Sequence, residues 1–185
     1  MNIIISGITC SGKTTLSNSI NGTIMHEDDY MKDRNQIPRR KSYLLMDLPS
    51  AYHLDEFACD ANTLLTTGIA NYPNYDVSNN RRINKNGVIQ KSEINVFEGL
   101  HTIDTLKDLR DSIKVFIDTD LSTCLERRIK RDSELYGISE EEVIKYFNEI
   151  ILNIYKTHIE KQKYMSDIIL DGGEDVKCLL KKLQI

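Results

Sequence analysis

The sequence predicts an α/β fold: a parallel sheet with helices on both faces and a small inserted β-hairpin lobe at about residues 72–92. Three observations predict it. Short apolar, β-branched runs such as Ile3-Ile4-Ile5, Val115-Phe116-Ile117 and Ile168-Ile169-Leu170 read as buried strands. Other segments carry apolar residues at helical spacing, as do Val143, Phe147, Ile150, Ile151, Ile154 and Ile159. The two kinds of segment alternate, as they do where helices cross between parallel strands.

Taken in order, Asn2–Ser6 is a strand ended by Gly7, and 13–20 is a helix stopped by Asn21-Gly22. Thr23–His26 is a second strand, and 50–67 is a helix that stops at Gly68. In the lobe, Asn86-Gly87 between Ile83 and Val88-Ile89 is a hairpin signal. Strands at 94–97 and 113–117 then alternate with helices at 103–110 and 121–135. Ser139-x-x-Glu142 is a capping box that opens a long helix, and a strand at 168–170 precedes a last helix at 176–183. No repeat, low-complexity tract or linker interrupts the chain, so 1–185 is read as one domain.

Composition excludes several classes. There are 24 Lys and Arg against 28 Asp and Glu, a formal net charge of −4, which argues against a nucleic-acid partner bound on a broad basic face. The 40% hydrophobic and 28% charged fractions are those of an ordinary globular chain, long enough to bury a core without staples. No apolar run can span a bilayer and the N-terminus has no secretory pattern, so no membrane partner is expected. Cys10, Cys59, Cys124 and Cys178 lie far apart without a CxxC pair and read as reduced thiols in a cytoplasmic setting.

Gly7-Ile8-Thr9-Cys10-Ser11-Gly12-Lys13-Thr14 matches G-x-x-x-x-G-K-[ST] in full, after a strand and before a helix. In that setting successive backbone N–H groups and the helix N-terminus form an anion nest for phosphate. Lys13 places a charge on the β- and γ-phosphates, and the Thr14 hydroxyl is suited to Mg²⁺. Gly7, Thr9, Cys10, Ser11, Gly12, Lys13, Thr14 and Thr15 are therefore expected to hold a nucleoside triphosphate, on a P-loop NTPase-type sheet. A GTPase is disfavoured, because Asn84-Lys85-Asn86-Gly87 lacks the aspartate of N-K-x-D. Two further acids follow predicted strands, where ligands of open α/β sheets bind. Asp28, with Asp29 as its competitor, is the expected general base for an acceptor hydroxyl and a candidate for the Mg²⁺ shell. Glu98 is the other expected metal carboxylate. Arg128 and Arg131 share a helix face and are suited to clamp a phosphate.

An ordered series of motifs resembles the uridine/cytidine kinase family of the phosphoribulokinase-like P-loop kinases, over about residues 3 to 170. Behind the phosphate loop come Glu27-Asp28-Asp29-Tyr30, Met46-Asp47-Leu48-Pro49-Ser50-Ala51-Tyr52, Tyr72-Pro73-Asn74-Tyr75-Asp76 with Arg81-Arg82, and Phe97-Glu98-Gly99. Val115-Phe116-Ile117-Asp118-Thr119-Asp120 and Arg127-Arg128-Ile129-Lys130-Arg131-Asp132 complete the series. The resemblance implies an ATP- and Mg²⁺-dependent nucleoside kinase of pyrimidine salvage, phosphorylating the 5′-hydroxyl of uridine or cytidine. It favours Asp28 over Asp29 as base, and makes Arg131 a catalytic phosphate contact and Arg128 a ligand of ribose or phosphate. It also implies that Asp47 takes the ribose hydroxyls and that Tyr75, Asn80 and Arg82 line the base pocket. Relatives of this kind are often homo-oligomers.

The sequence departs from the family at the acceptor and the lid. Asn80 stands where the family has a histidine, Val77 where it has an aromatic residue, and Glu134-Leu135-Tyr136-Gly137-Ile138 where it has two lid arginines. Tyr146 falls near a usual glutamine. A different small acceptor such as nicotinamide riboside, or a nucleotide-binding regulator with little turnover, therefore stays open. His101 lies near the site edge and is expected to be a packed or surface histidine, and His158 is expected to pack on the long helix.

Overall fold

A computed structural model describes residues 1–76, 79 and 81–183, with 84–86 described by backbone alone. Five strands form one parallel sheet: β1 (Asn2–Ser6), β2 (Thr23–His26), β7 (Asn95–Gly99), β8 (Ser112–Asp118) and β9 (Ile168–Asp171), in the order β2-β7-β1-β8-β9. The central strands are apolar because both their faces are covered. Ile4, Phe97 and Phe116 pack with Phe57, Phe147 and Ile154 on one face, and Ile3, Ile5, Val96, Val115 and Ile117 with Leu16, Leu170 and Leu179 on the other. The predicted α/β class and sheet are observed.

Helix α1 (Lys13–Ser17) is shorter than the 13–20 predicted. Ser17 and Ser19 donate their hydroxyls back to the Thr14 and Thr15 carbonyls, offering the chain an alternative to a further turn. The helix predicted at 50–67 is broken. A 3₁₀ turn, Pro49–Ala51, precedes α2 (Leu54–Thr67), because Tyr52 is extended and His53 bonds back to the Tyr30 carbonyl. The predicted helix at 103–110 is one turn, α3 (Thr102–Thr105), and Asp111 at φ 53° redirects the chain into β8. Two short strands, β3 (Arg39–Arg40) and β4 (Tyr43–Leu44), form a hairpin that the sequence did not signal.

The β-lobe is a separate antiparallel ribbon of β5 (Ile69–Asp76) and β6 (Arg81–Gln90). Asn86-Gly87 is not its turn: Gly87 lies inside β6, opposite Tyr72. A Cβ on Gly87 would lie 2.5 Å from the Tyr72 ring, so the glycine serves close packing instead of a tight turn.

Helix α4 (Leu121–Tyr136) ends at Gly137, which is left-handed at φ 65°. Ser139 caps α5 (Glu140–Tyr146) through the Glu142 N–H, as the capping box predicts. The helix continues through a π-helical segment Phe147–Ile151, α6 (Leu152–Ile154), a second π segment Tyr155–Ile159 and a 3₁₀ stretch Glu160–Met165. Gln162, fully buried, pins that end to the sheet by donating to the Leu100 carbonyl and accepting from Ser6 Oγ and the Asp104 N–H. α7 (Val176–Lys182) closes the chain. Among the described residues no helix is long and apolar enough to cross a membrane.

Candidate active site

The phosphate loop leaves β1 at the carboxyl edge of the sheet. A side chain at Gly7 would strike the Ile117 carbonyl at 2.6 Å, so the turn can hug β8 only with glycine there. Cys10 and Gly12 are left-handed, at φ 61° and 104°. Lys13 is buried, and its Nζ donates to the Ile8 carbonyl at 2.9 Å, folding the ammonium over its own loop. Ser11 Oγ is buried beneath it without a hydrogen-bond partner.

Three side chains converge beside the loop. His26 and Glu98 are register partners at the ends of β2 and β7, and His26 Nδ1 lies 2.7 Å from Glu98 Oε1. The same oxygen accepts from Thr14 Oγ1 at 3.1 Å. Burial pushes the Glu98 carboxyl up, but the His26 bond and the Lys13 charge outweigh it and hold it below the ordinary range. Its hydrogen bond to Glu98 raises His26 in turn, which favours the charged form of the ring.

Asp28 stands on the 3₁₀ turn Glu27–Tyr30 that follows β2. Its carboxyl opens to the cleft, yet the surrounding walls replace bulk water. That desolvation first, and the Glu98 charge second, raise it above the ordinary range against Lys13 and His26. Tyr52 Oη donates to Asp28 Oδ1 at 3.4 Å. Desolvation also lifts Asp29, to about 6. Two neighbouring carboxyls, Asp28 and Glu98, are thus driven in opposite directions, a separation that suits one to exchange a proton and the other to stay charged.

Across the cleft Asp47 is buried, with Oδ1 3.3 Å from Arg128 Nη1. Arg128 Nε donates to Asp132 Oδ2 at 3.2 Å, and its guanidinium lies 5.4 Å from the centre of the Tyr146 ring. Asp132 also takes Arg131, at 2.8 Å. On the third side Arg127 donates to the carbonyls of Cys10 (3.4 Å) and Gly172 (3.0 Å), tying the phosphate loop to the turn after β9. A Cβ on Gly172 would fall 1.8 Å from Thr119 Oγ1 and 2.4 Å from the Ser11 carbonyl.

These groups surround one cavity of about 1010 Å³. It is lined by the predicted residues Thr9, Cys10, Ser11, Gly12, Lys13, Thr14, Thr15, Asp28, Asp47, Tyr75, Glu98, Arg128 and Arg131. Gly7 lies under the loop, outside the lining. Arg82 also departs from the expected place: its guanidinium is 2.7 Å from Glu56 on α2 and turned away from the cavity. Asn80 and Val77 lie outside the described residues. Tyr75 Oη is buried and unpartnered at the cavity wall. Tyr136 and Ile138 line the mouth, as departures from the lid arginines. Sequence reasoning missed His26, Arg127, Gly172 and Tyr52. His26 precedes the acidic run by one residue and Gly172 follows the last strand, but only the sheet register and the return of that strand bring them to the loop.

Thr14, Glu98 and Asp28 offer only hard oxygen donors at one place, which fits Mg²⁺. Among the described residues no group of three or more His, Cys, Asp or Glu could hold a metal alone.

The model of the phosphoribulokinase/uridine kinase family matches residues 3–178. This chain belongs to that family. The family member is an ATP-dependent phosphotransferase with an alcohol acceptor. It is 30% identical to a uridine kinase of Lactobacillus helveticus over 97% of this chain and 92% of that protein. It is 32% identical to a uridine kinase of Mycoplasma genitalium, over 93% and 85%. A solved structure described as a possible uridine kinase from Bacillus stearothermophilus superposes with a TM-score of 0.65 at 15% identity, over 92% of this chain and 88% of that one. At that identity the likeness shows the fold alone.

Proposed function

We propose that this kinase transfers the γ-phosphoryl group of ATP to the 5′-hydroxyl of a ribonucleoside, uridine or cytidine, in cytoplasmic pyrimidine salvage. One observation carries the proposal: the Lys13 loop and the raised Asp28 carboxyl open onto the same cavity, with Glu98 held anionic between them. ATP sits with its β- and γ-phosphates on the backbone nest of residues 7–14, and Lys13 turns from the Ile8 carbonyl to the phosphates. Thr14, Glu98 and Asp28 would hold Mg²⁺, which would supply charge neutralisation at the phosphates.

Asp47 accepts from the ribose hydroxyls, and Tyr75 offers its unpartnered hydroxyl to the base. Asp28 receives the proton of the 5′-hydroxyl as the new O–P bond forms and the bond from γ-phosphorus to the bridging oxygen breaks, with ADP leaving. Arg131, and Arg128 beside it, meet the transferring group from α4. The relatives named uridine kinase support this acceptor. The engagement of Arg82 by Glu56 favours a pocket that reads the base differently from the family pattern, and keeps nicotinamide riboside as a second acceptor to test.

The test is ADP release with Mg·ATP and a panel of ribonucleosides, deoxynucleosides and nicotinamide riboside. Strong stimulation by uridine or cytidine is expected. Stimulation by nicotinamide riboside alone would replace the acceptor, and no stimulation by any of them would overturn the nucleoside reading.

A further inference from the structure

Of the two expectations for His101, a packed or a surface histidine, the structure shows the packed one, and the ring also makes a hydrogen bond. Its ring is 2% exposed at the end of the segment following β7. Nε2 lies 2.9 Å from the backbone carbonyl of Asp47, 54 residues away. A carbonyl only accepts, so Nε2 carries the proton and the ring is a donor. Its own backbone N–H donates to both carboxyl oxygens of Glu27, each at 3.1 Å. Glu27 is fully buried and adjoins Asp28 in the same turn. The ring also meets Tyr52 edge-on at 5.9 Å, and Tyr52 Oη reaches Asp28. One residue therefore touches both walls of the cleft.

We propose that His101 is a positioning residue, which through its Nε2–H to the Asp47 carbonyl and its backbone N–H to Glu27 sets the distance between the acceptor-holding Asp47 and the Asp28 turn. The inference rests on the roles proposed above for Asp47 and Asp28. Burial lowers the imidazole to about 4, so the ring carries one N–H at neutral pH, and the Asp47 carbonyl fixes it on Nε2. Asp47 sits on a segment between β4 and the 3₁₀ turn Pro49–Ala51, without strand or helix of its own. Its side chain has Arg128 as partner, and its main chain has His101. A misplacement of about 1 Å in such a group is enough to cost on the order of 10²-fold in rate.

The test uses His101→Leu, which keeps the bulk and removes the donor, and His101→Gln, which returns an amide N–H at similar reach. With Mg·ATP and uridine, H101L is expected to raise the acceptor KM at least tenfold while the ATP KM moves less than twofold. H101Q is expected to stay within about threefold of the unaltered protein. A purely structural role would move both KM values together, and that result, or unchanged kinetics in H101L, overturns the proposal. Should H101L fail to fold, H101Q is compared with His101→Asn, whose shorter reach leaves the Asp47 carbonyl unbonded. Selective loss in H101N supports positioning, and equal behaviour of the two overturns it. A crystal structure of the same variant decides independently of turnover: Asp47 Oδ1 should leave Arg128 Nη1 in H101L, or in H101N should H101L not fold, and an unmoved pair overturns the proposal. If the unaltered protein phosphorylates no nucleoside, the function reading falls while this structural comparison still decides the role of His101.

Discussion

Arg128 Nη1 stands 3.3 Å from Asp47 Oδ1, and both side chains are almost wholly buried, at 11% and 8% exposure. The pair joins helix α4 to the segment between β4 and the 3₁₀ turn Pro49–Ala51. Asp47 and Asp132 raise the Arg128 guanidinium against the burial that opposes its charge. Removing one partner leaves the other charge in a dry site, which typically costs about 3–5 kcal/mol. Tyr146 beneath Arg128, and Asp132 beside it, offset part of that loss for Asp47→Asn. Arg128→Met is accordingly expected to lose about 3 kcal/mol in urea denaturation, and D47N less. In steady-state kinetics both raise the acceptor KM at least tenfold, and unchanged acceptor KM in D47N would remove Asp47 from the ribose site.

Asp28→Asn separates chemistry from folding. A base must be unprotonated, so kcat/KM falls as pH drops through the Asp28 pKa. Because desolvation raises that pKa, the acid limb lies above the ordinary carboxylate range. D28N is expected to lower kcat by about 10²–10³-fold and to abolish that limb, with ATP still bound. The stability sign is opposite. A carboxyl whose folded pKa is raised takes up protons on folding, and its stabilising effect is lost as pH rises through the folded value. At pH 8, then, D28N should melt no lower than the unaltered protein. A loss in rate of less than about tenfold would leave Asp28 without the role of base.

The phosphate half of the site was legible in the sequence because its chemistry is local: eight contiguous residues carry the turn, the charge and the hydroxyl. The strands were legible for a similar reason, since Ile3-Ile4-Ile5 and Val115-Phe116-Ile117 are apolar on both faces. What was missed depends on register and return. His26 meets Glu98 only because β2 lies beside β7 with those residues paired. Arg82 shares the ribbon with Tyr75 as its register partner, but its guanidinium finds Glu56 on α2. Gly87 carried a turn signal and instead makes room for a cross-strand ring, a tertiary contact that local propensity does not encode.

Gly172 tests how the phosphate loop is braced. In Gly172→Ala the new methyl meets Thr119 Oγ1 at 1.8 Å and the Ser11 carbonyl at 2.4 Å, and the second is backbone that cannot rotate aside. Thr119 also donates to that carbonyl at 2.8 Å, so both contacts must shift together. Overpacking of this kind costs about 1–3 kcal/mol. G172A should raise the ATP KM more than tenfold with the acceptor KM within threefold, measured by varying each substrate against saturating partner. Equal ATP KM values would mean that the loop does not depend on this turn.

The Mg²⁺ site proposed at Thr14 and Glu98 predicts metal dependence. EDTA should abolish transfer and excess Mg²⁺ restore it. Thr14→Ala removes the hydroxyl and leaves Glu98 with His26, so the Mg²⁺ concentration for half-maximal rate should rise at least fivefold. A Mg²⁺ titration indistinguishable from that of the unaltered protein would take Thr14 out of the metal shell.

Arg82 gives the sharpest contrast between family pattern and this chain. By resemblance it belongs in the base pocket, and its loss would weaken nucleoside binding. Here its guanidinium pairs with Glu56 at 2.7 Å, and its backbone N–H donates to Asp33 at 2.8 Å, a bond that any residue but proline keeps. The side chains are 18% and 29% exposed, so the pair is screened and contributes about 1 kcal/mol or less. Arg82→Ala is therefore expected to lose at most that much stability and to leave the nucleoside KM within threefold. A tenfold or greater rise in nucleoside KM, with the ATP KM unchanged, would instead mean that Arg82 leaves Glu56 for the base once the acceptor is bound. The single variant Glu56→Gln, which keeps Arg82, separates the two cases: freeing Arg82 from Glu56 should improve nucleoside binding only if Arg82 swings into the pocket.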